Sequence, residues 1–188
     1  PDGSILTHAE FAQMSVRLAH AFGAAGLQPG DRLALQVAKS PMALAVYAAC
    51  MRSGVILLPL NPAYTATEVA YFVSDAEAKL LVCDAGSAAT LVPVAEQAGA
   101  GLLTLNADGT GSLADLAASQ PEVFNPVERG PDDLAAFLYT SGTTGRSKGA
   151  MLTQRNLTSN AEVLVQAWEF TPDDVLLHAL PIFHTHGL

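Results

Sequence analysis

Residues 134–149 read Leu-Ala-Ala-Phe-Leu-Tyr-Thr-Ser-Gly-Thr-Thr-Gly-Arg-Ser-Lys-Gly, an apolar run followed by a polar loop. The run at 134–139 has the length and composition of a buried strand. The next six residues, 140–145, contain four hydroxyl side chains and two glycines, and the cations Arg146 and Lys148 follow. Glycines let the backbone approach a phosphate closely, hydroxyls donate hydrogen bonds, and a lysine adds a mobile charge. The stretch therefore predicts a polyphosphate-binding loop at the end of a strand.

Two other interpretations compete with a phosphate loop of this kind. Clusters of Ser, Thr and Gly commonly form plain surface turns, but such turns seldom combine a preceding strand with a closing lysine. A Walker A loop requires Gly-x-x-x-x-Gly-Lys-Ser/Thr. Here Ser147 takes the place of the second glycine, and Gly149 takes the place of the hydroxyl that binds magnesium. These departures argue against a kinase or NTPase of the P-loop type.

Helical and strand patterns alternate along the rest of the chain, which predicts an α/β fold with a parallel-rich sheet and flanking helices. Helices are predicted at 7–26, 40–52, 68–76, 87–97 and 155–168, with a short one at 112–119 inside the long connection 106–131. Strands are predicted at 31–37, 55–60, 79–83, 101–105, 134–139, 150–152 and 175–180. Thr7 with Glu10, and Ser40 with Pro41, provide the clearest helix starts.

Composition and charge exclude several classes of protein. Half of the 188 residues are hydrophobic and 14% are charged, which excludes a disordered chain. The net charge of −9 argues against binding nucleic acid through a broad basic face. No apolar stretch is long enough to span a bilayer and no signal peptide is evident, so a cytoplasmic location is predicted. Cys50 and Cys83 lie in apolar surroundings and are interpreted as reduced, buried residues.

Residues 140–149 resemble the signature of the adenylate-forming superfamily, Ser/Thr-Ser-Gly-Thr-Thr-Gly-x-Pro-Lys-Gly, with Ser147 replacing the usual proline. A second motif of that superfamily, Leu-Pro-Ile-Phe-His-Thr-His-Gly-Leu, occupies residues 180–188. The resemblance extends upstream through 30–34 and 58–62 and covers essentially the whole chain. Within 132–188 the sequence is most similar to the malonyl-CoA synthetases of the superfamily.

The resemblance implies an AMP-forming acid–thiol ligase. Such an enzyme uses ATP and Mg²⁺ to convert a carboxylic acid into an acyl-adenylate, and coenzyme A then takes the acyl group as a thioester. Malonate or methylmalonate is the implied acid, and an aryl or fatty acid is the alternative. Residues 1–188 would form part of the N-terminal AMP-binding domain, with the rest of that domain and a C-terminal lid domain beyond them. Alone, the fragment would be inactive, or would serve as a non-catalytic nucleotide-binding module.

The resemblance also assigns roles to residues of the loop. Lys148 would contact the β- or γ-phosphate of ATP and is the first candidate catalytic residue. The phosphate-binding set it implies is Thr140, Ser141, Gly142, Thr143, Thr144, Gly145 and Lys148. The hydroxyls of Thr143 and Thr144 could equally maintain the shape of the loop itself.

His184, Thr185 and His186 form the second candidate group. Two histidines separated by one residue on a strand could bind a metal, but no carboxylate or cysteine joins them nearby. A structural histidine at a strand end is the other plain interpretation. The resemblance implies instead that this segment lines the acyl pocket, with His184 catalytic and positioning the carboxylate, and Thr185 and His186 contacting the substrate. No metal site is predicted. Tyr47, Tyr71, Trp168 and the remaining histidines are interpreted as packing or surface residues.

Overall fold

The computed structural model describes residues 3, 5–140, 147–184 and 187. Its centre is a sheet of six strands in the order β4-β3-β1-β2-β5-β6. The strands are β1 Arg32–Gln36, β2 Ile56–Pro59, β3 Leu80–Cys83, β4 Gly101–Thr104, β5 Leu134–Thr140 and β6 Lys148–Thr153. All neighbouring strands are parallel except β5 and β6, which pair antiparallel. The predicted α/β class with a parallel-rich sheet is confirmed.

The predicted helices are present, and the two whose caps were predicted, at Thr7 and Ser40, begin at those caps. They are α1 His8–Ala24, α2 Pro41–Ser53, α3 Ala66–Asp75, α4 Ala85–Ala98, α5 Ser112–Ala118 and α6 Gln154–Ala167. The Thr7 hydroxyl accepts from the Glu10 amide, and the Glu10 carboxylate accepts from the Thr7 amide, so two otherwise unpaired donors are satisfied. Ser40 caps α2 in the same position, with Pro41 in the first turn.

Two apolar layers cover the sheet because its strand residues alternate between its faces. Leu33 and Leu35 of β1 join a core with α1, α2 and α5. Ala34, between them, joins the opposite core with α3 and α4. Strands β1, β2 and β3 are thus buried on both faces, as continuous apolar runs predict for a parallel sheet, whereas β4 and β6 at the two sides of the sheet are partly exposed.

The strand predicted at 175–180 is wrong. The structure places these residues in irregular chain after a turn, without a strand partner among the described residues. Val175 is 96% exposed and Leu177 is 91% exposed. A strand is stable only when a neighbour satisfies its backbone groups, and local apolarity cannot supply that neighbour.

Candidate functional site

The polar loop joins β5 to β6 at the edge where the parallel strands end. Thr140, the last residue of β5, is paired with Lys148, the first residue of β6, and the Thr140 hydroxyl donates to the Lys148 carbonyl at 3.5 Å. Lys148 is exposed. In open α/β sheets, ligands bind outside the carboxyl ends of the strands. Thr140 and Lys148 therefore flank a segment at the usual ligand-binding edge.

Several predicted site residues lie outside the described part of the chain. In the loop these are Ser141, Gly142, Thr143, Thr144 and Gly145. In the second motif they are Thr185 and His186. Their predicted roles stay predictions.

Two tyrosines fix the ends of the loop to helix α3. The Tyr71 hydroxyl donates to the carbonyl oxygen of Ser147 at 2.9 Å, immediately before Lys148. The Tyr139 hydroxyl donates to the Asp75 carboxylate at 2.5 Å. Burial, followed by the hydrogen bond to Asp75, raises the pKa of the Tyr139 phenol, so it stays a donor at neutral pH. The interpretation of Tyr71 as a packing residue is incomplete, because its hydroxyl holds the backbone next to Lys148.

A pocket of about 410 Å³ opens at the same edge. Its walls are residues 59–61 at the end of β2, Tyr64, residues 138–140 of β5, and the pair Phe183 and His184. The structure thus brings Thr140 and His184 to one cavity. Lys148 is across the hairpin from Thr140 and is not part of the cavity wall.

Gln36 shapes one wall of this pocket and was missed from the sequence. Its side chain is 4% exposed at the end of β1, and its amide Nε2 donates to the carbonyl oxygens of Asn61 and Tyr64 at 3.1 and 3.0 Å. These bonds hold the chain that follows β2. The available signal was a polar residue closing an otherwise apolar strand at the carboxyl edge.

His184 belongs to a short turn that follows a buried residue. Ile182 is 3% exposed and packs in the core with α1 and α2. The amide of Gly187 donates to the His184 carbonyl at 2.8 Å. A side chain at Gly187 would place its Cβ 2.0 Å from the Pro181 carbonyl oxygen, so only glycine fits there. The turn therefore presents Phe183 and His184 to the pocket while Ile182 anchors it.

The described residues offer no metal site of their own, since no three of their His, Cys, Asp or Glu side chains are grouped to hold an ion.

Cys50 and Cys83 are both buried and unpaired with each other, as predicted. Burial, together with nearby Asp84, raises the pKa of the Cys83 thiol to about 11, so it is protonated at neutral pH. None of the described helices combines the length and hydrophobicity that a bilayer span requires.

Comparison with known proteins assigns the family. The family model for AMP-binding enzymes matches residues 1–188. The chain belongs to the AMP-binding enzymes. This confirms the superfamily that the motifs at 140–149 and 180–188 suggested.

Individual members of the family resemble the chain over much of its length. The crystal structure of ATP-bound MatB from Rhodopseudomonas palustris is 54% identical, with a TM-score of 0.95, over 98% of this chain and 37% of that one. A feruloyl-CoA synthase from an Amycolatopsis species is 38% identical over 99% of this chain and 36% of its own. The mitochondrial malonate–CoA ligase ACSF3 of Mus musculus is 37% identical over 72% of this chain and 23% of its own. The chain thus spans less than two fifths of the length of these relatives.

Proposed function

We propose that residues 1–188 form part of the N-terminal domain of an AMP-forming acid–thiol ligase. The observation that supports this most directly is the arrangement at the carboxyl edge. There a hydroxyl- and glycine-rich segment lies between Thr140 and Lys148, and Thr140 shares a pocket with His184. The remainder of the domain and a C-terminal lid domain would lie outside these residues, and residues 1–188 alone would not turn over.

The proposed reaction has two steps. A carboxylate oxygen of the acid attacks the α-phosphorus of ATP, and the bond to the bridging oxygen breaks, giving an acyl-adenylate and pyrophosphate. The thiol of coenzyme A then attacks the acyl carbon, loses its proton, and expels AMP. The first step builds negative charge on the departing pyrophosphate, and fixed donors placed there lower the barrier.

The residues of this chain would act mainly in the first step. Lys148 would hold the β- or γ-phosphate, and Thr140, Ser141, Gly142, Thr143, Thr144 and Gly145 would surround the phosphates. His184 would position the carboxylate, with Thr185 and His186 beside it. Mg²⁺ would neutralise phosphate charge when bound. Because the described residues include no grouped ligands for it, we assign none of its protein ligands to this chain.

Malonate, or a close relative such as methylmalonate, is the acid we propose. The similarity to a malonate–CoA ligase supports it. The feruloyl-CoA synthase is 38% identical over 99% of this chain, so an aryl acid is the alternative substrate. A cytoplasmic location stays a prediction.

Pyrophosphate exchange into ATP, dependent on the acid, tests the proposal. The full-length protein is assayed with malonate, methylmalonate, acetate, benzoate and a medium-chain fatty acid. Exchange driven by malonate or methylmalonate is expected. Exchange driven only by another acid would keep the reaction and replace the substrate. Absence of exchange with every acid would contradict the proposed activity.

A further inference from the structure

The segment that carries His184 is attached to the sheet by side chains instead of by regular secondary structure. Residues 175–184 contain no helix or strand. Ile182 is nevertheless buried, and Phe183 and His184 reach the pocket at the carboxyl edge. Irregular chain needs specific contacts to keep one position, because its backbone groups are not satisfied by a regular ladder.

Lys39 provides three of these contacts. It follows β1 at the carboxyl edge, and its Nζ donates to the carbonyl oxygens of His178 and Leu180 at 2.6 and 2.9 Å. The same Nζ lies 2.9 Å from the Nδ1 of His178. An ammonium group has three donors and no acceptor, so the Nδ1 of His178 accepts the third bond. All three donors of Lys39 are then directed to this one segment.

Tyr47 of α2 provides a fourth contact, at Ile182, the buried residue of the segment. Its hydroxyl donates to the carbonyl oxygen of Ile182 at 2.5 Å. Burial raises the pKa of the Tyr47 phenol, so the hydroxyl stays protonated and keeps donating. Lys39 and Tyr47 therefore hold alternate carbonyls at 178, 180 and 182, and the last of these is two residues from His184.

We propose that Lys39 is a positioning residue for adenylation, which sets the place of His184 in the pocket by holding the carbonyls of residues 178 and 180. The inference rests on the proposed function. Lys39 does not line the pocket itself and acts through the backbone of the segment. Small errors in the placement of a reacting group can cost orders of magnitude in rate, so loss of these bonds should be visible in catalysis.

Three substitutions separate this role from general effects of charge and folding. Lys39→Met keeps the aliphatic stem and removes every donor, whereas Lys39→Arg keeps donors that can reach carbonyls. Lys79→Met is the matched control, because Lys79 is also exposed and precedes β3 at the opposite, amino edge of the sheet. Lys39 is exposed too, so its replacement should change global stability little.

The experiment measures pyrophosphate exchange by the full-length variants against malonate and against ATP, with thermal unfolding as the folding control. For Lys39→Met, kcat/KM for malonate should fall at least about 10-fold, while the KM for ATP and the unfolding midpoint stay close to wild type. The KM for ATP is spared because α3 holds the phosphate loop separately, through Tyr71. Lys39→Arg should recover most of the loss, and Lys79→Met should match wild type.

A second readout does not depend on turnover. Amide hydrogen exchange of the peptide containing residues 178–184 should accelerate in Lys39→Met and not in Lys79→Met, because the segment loses its bonds to Lys39 and opens more often. Wild-type kcat/KM in Lys39→Met, or a loss that Lys39→Arg and Lys79→Met share equally, would overturn the inference alone. Absence of exchange by wild type with every acid would instead overturn the proposed function, and the role of Lys39 in adenylation with it.

Discussion

Replacing Gly149 with alanine should destabilise the β5–β6 hairpin through a clash with Tyr139, its cross-strand partner. An alanine Cβ would lie 3.2 Å from the Cζ of Tyr139, closer than carbon atoms normally pack. The ring has little freedom to withdraw. Its centroid lies 4.6 Å from that of Phe72, and its hydroxyl is bound to Asp75.

The expected magnitude is a difference between two effects. Overpacking a tight contact costs about 1–3 kcal/mol. Alanine also restricts the unfolded chain, which stabilises the folded state by about 0.4–1 kcal/mol where the backbone is compatible. Gly149 does not have a positive φ, so alanine adds no backbone strain there. The net result should be destabilisation of the hairpin by about 1 kcal/mol.

A double-mutant cycle tests whether the ring is the cause. In a Tyr139→Val background the clash is absent, so Gly149→Ala should stabilise the hairpin by about 0.4–1 kcal/mol. The two effects of Gly149→Ala then have opposite signs, with a coupling energy of about 1.4–2 kcal/mol between the two positions. Native-state amide hydrogen exchange of β5 and β6 in the full-length protein gives the local opening free energy of each variant. Equal destabilisation by Gly149→Ala in both backgrounds would refute the reasoning.

Three further outcomes are expected. Lys148→Ala should slow pyrophosphate exchange roughly 100-fold, since one group that stabilises the charge developing on pyrophosphate is lost, and should change the circular dichroism little. A folding defect with unchanged turnover of the surviving protein would contradict the role of Lys148. Gly111→Ala should lower the thermal unfolding midpoint, because its φ is +128° and a Cβ would lie 2.4 Å from the Thr104 carbonyl oxygen, and an unchanged midpoint would show that this turn can relax. Hydrogen bonds from the Thr7 amide and hydroxyl lower the pKa of Glu10 in the folded state. The ionised Glu10 carboxylate therefore stabilises the folded state fully above the unfolded pKa of about 4.5, and this stabilisation is lost as pH falls below it. Glu10→Gln should accordingly reduce the loss of stability at acid pH, measured by urea unfolding at a series of pH values.

The helices could be predicted largely because their start signals are local. The Thr7 and Ser40 caps are visible within four residues of sequence, and both helices begin where the caps place them. Helix α3 begins at Ala66, two residues before the predicted start at 68. Thr65 and Glu68 form the same capping box as Thr7 and Glu10, so the signal was present but not used.

The attachments of the candidate site could not be predicted in this way. Tyr71 and Ser147 are 76 positions apart, and Lys39 and His178 are 139 positions apart. A tyrosine or lysine in an apolar helix or loop has the same local pattern whether or not its polar end reaches a distant carbonyl. The failed strand at 175–180 has a related cause, because strand formation depends on a partner that local sequence does not specify.

An acidic chain can still bind a polyphosphate if its cations are placed at short range. The net charge of −9 opposes an approaching anion, but at physiological ionic strength interactions between exposed charges are screened beyond about 8 Å. Within that distance, the charged side chains at the carboxyl edge of the sheet decide how strongly an anion is attracted. Lys148 begins β6 there, whereas the ammonium group of Lys39, at the same edge, is bound to the carbonyl oxygens of His178 and Leu180. The fold therefore places the positive charge of Lys148 beside the loop. Raising the salt concentration should weaken the long-range repulsion by the acidic chain more than the short-range attraction by Lys148.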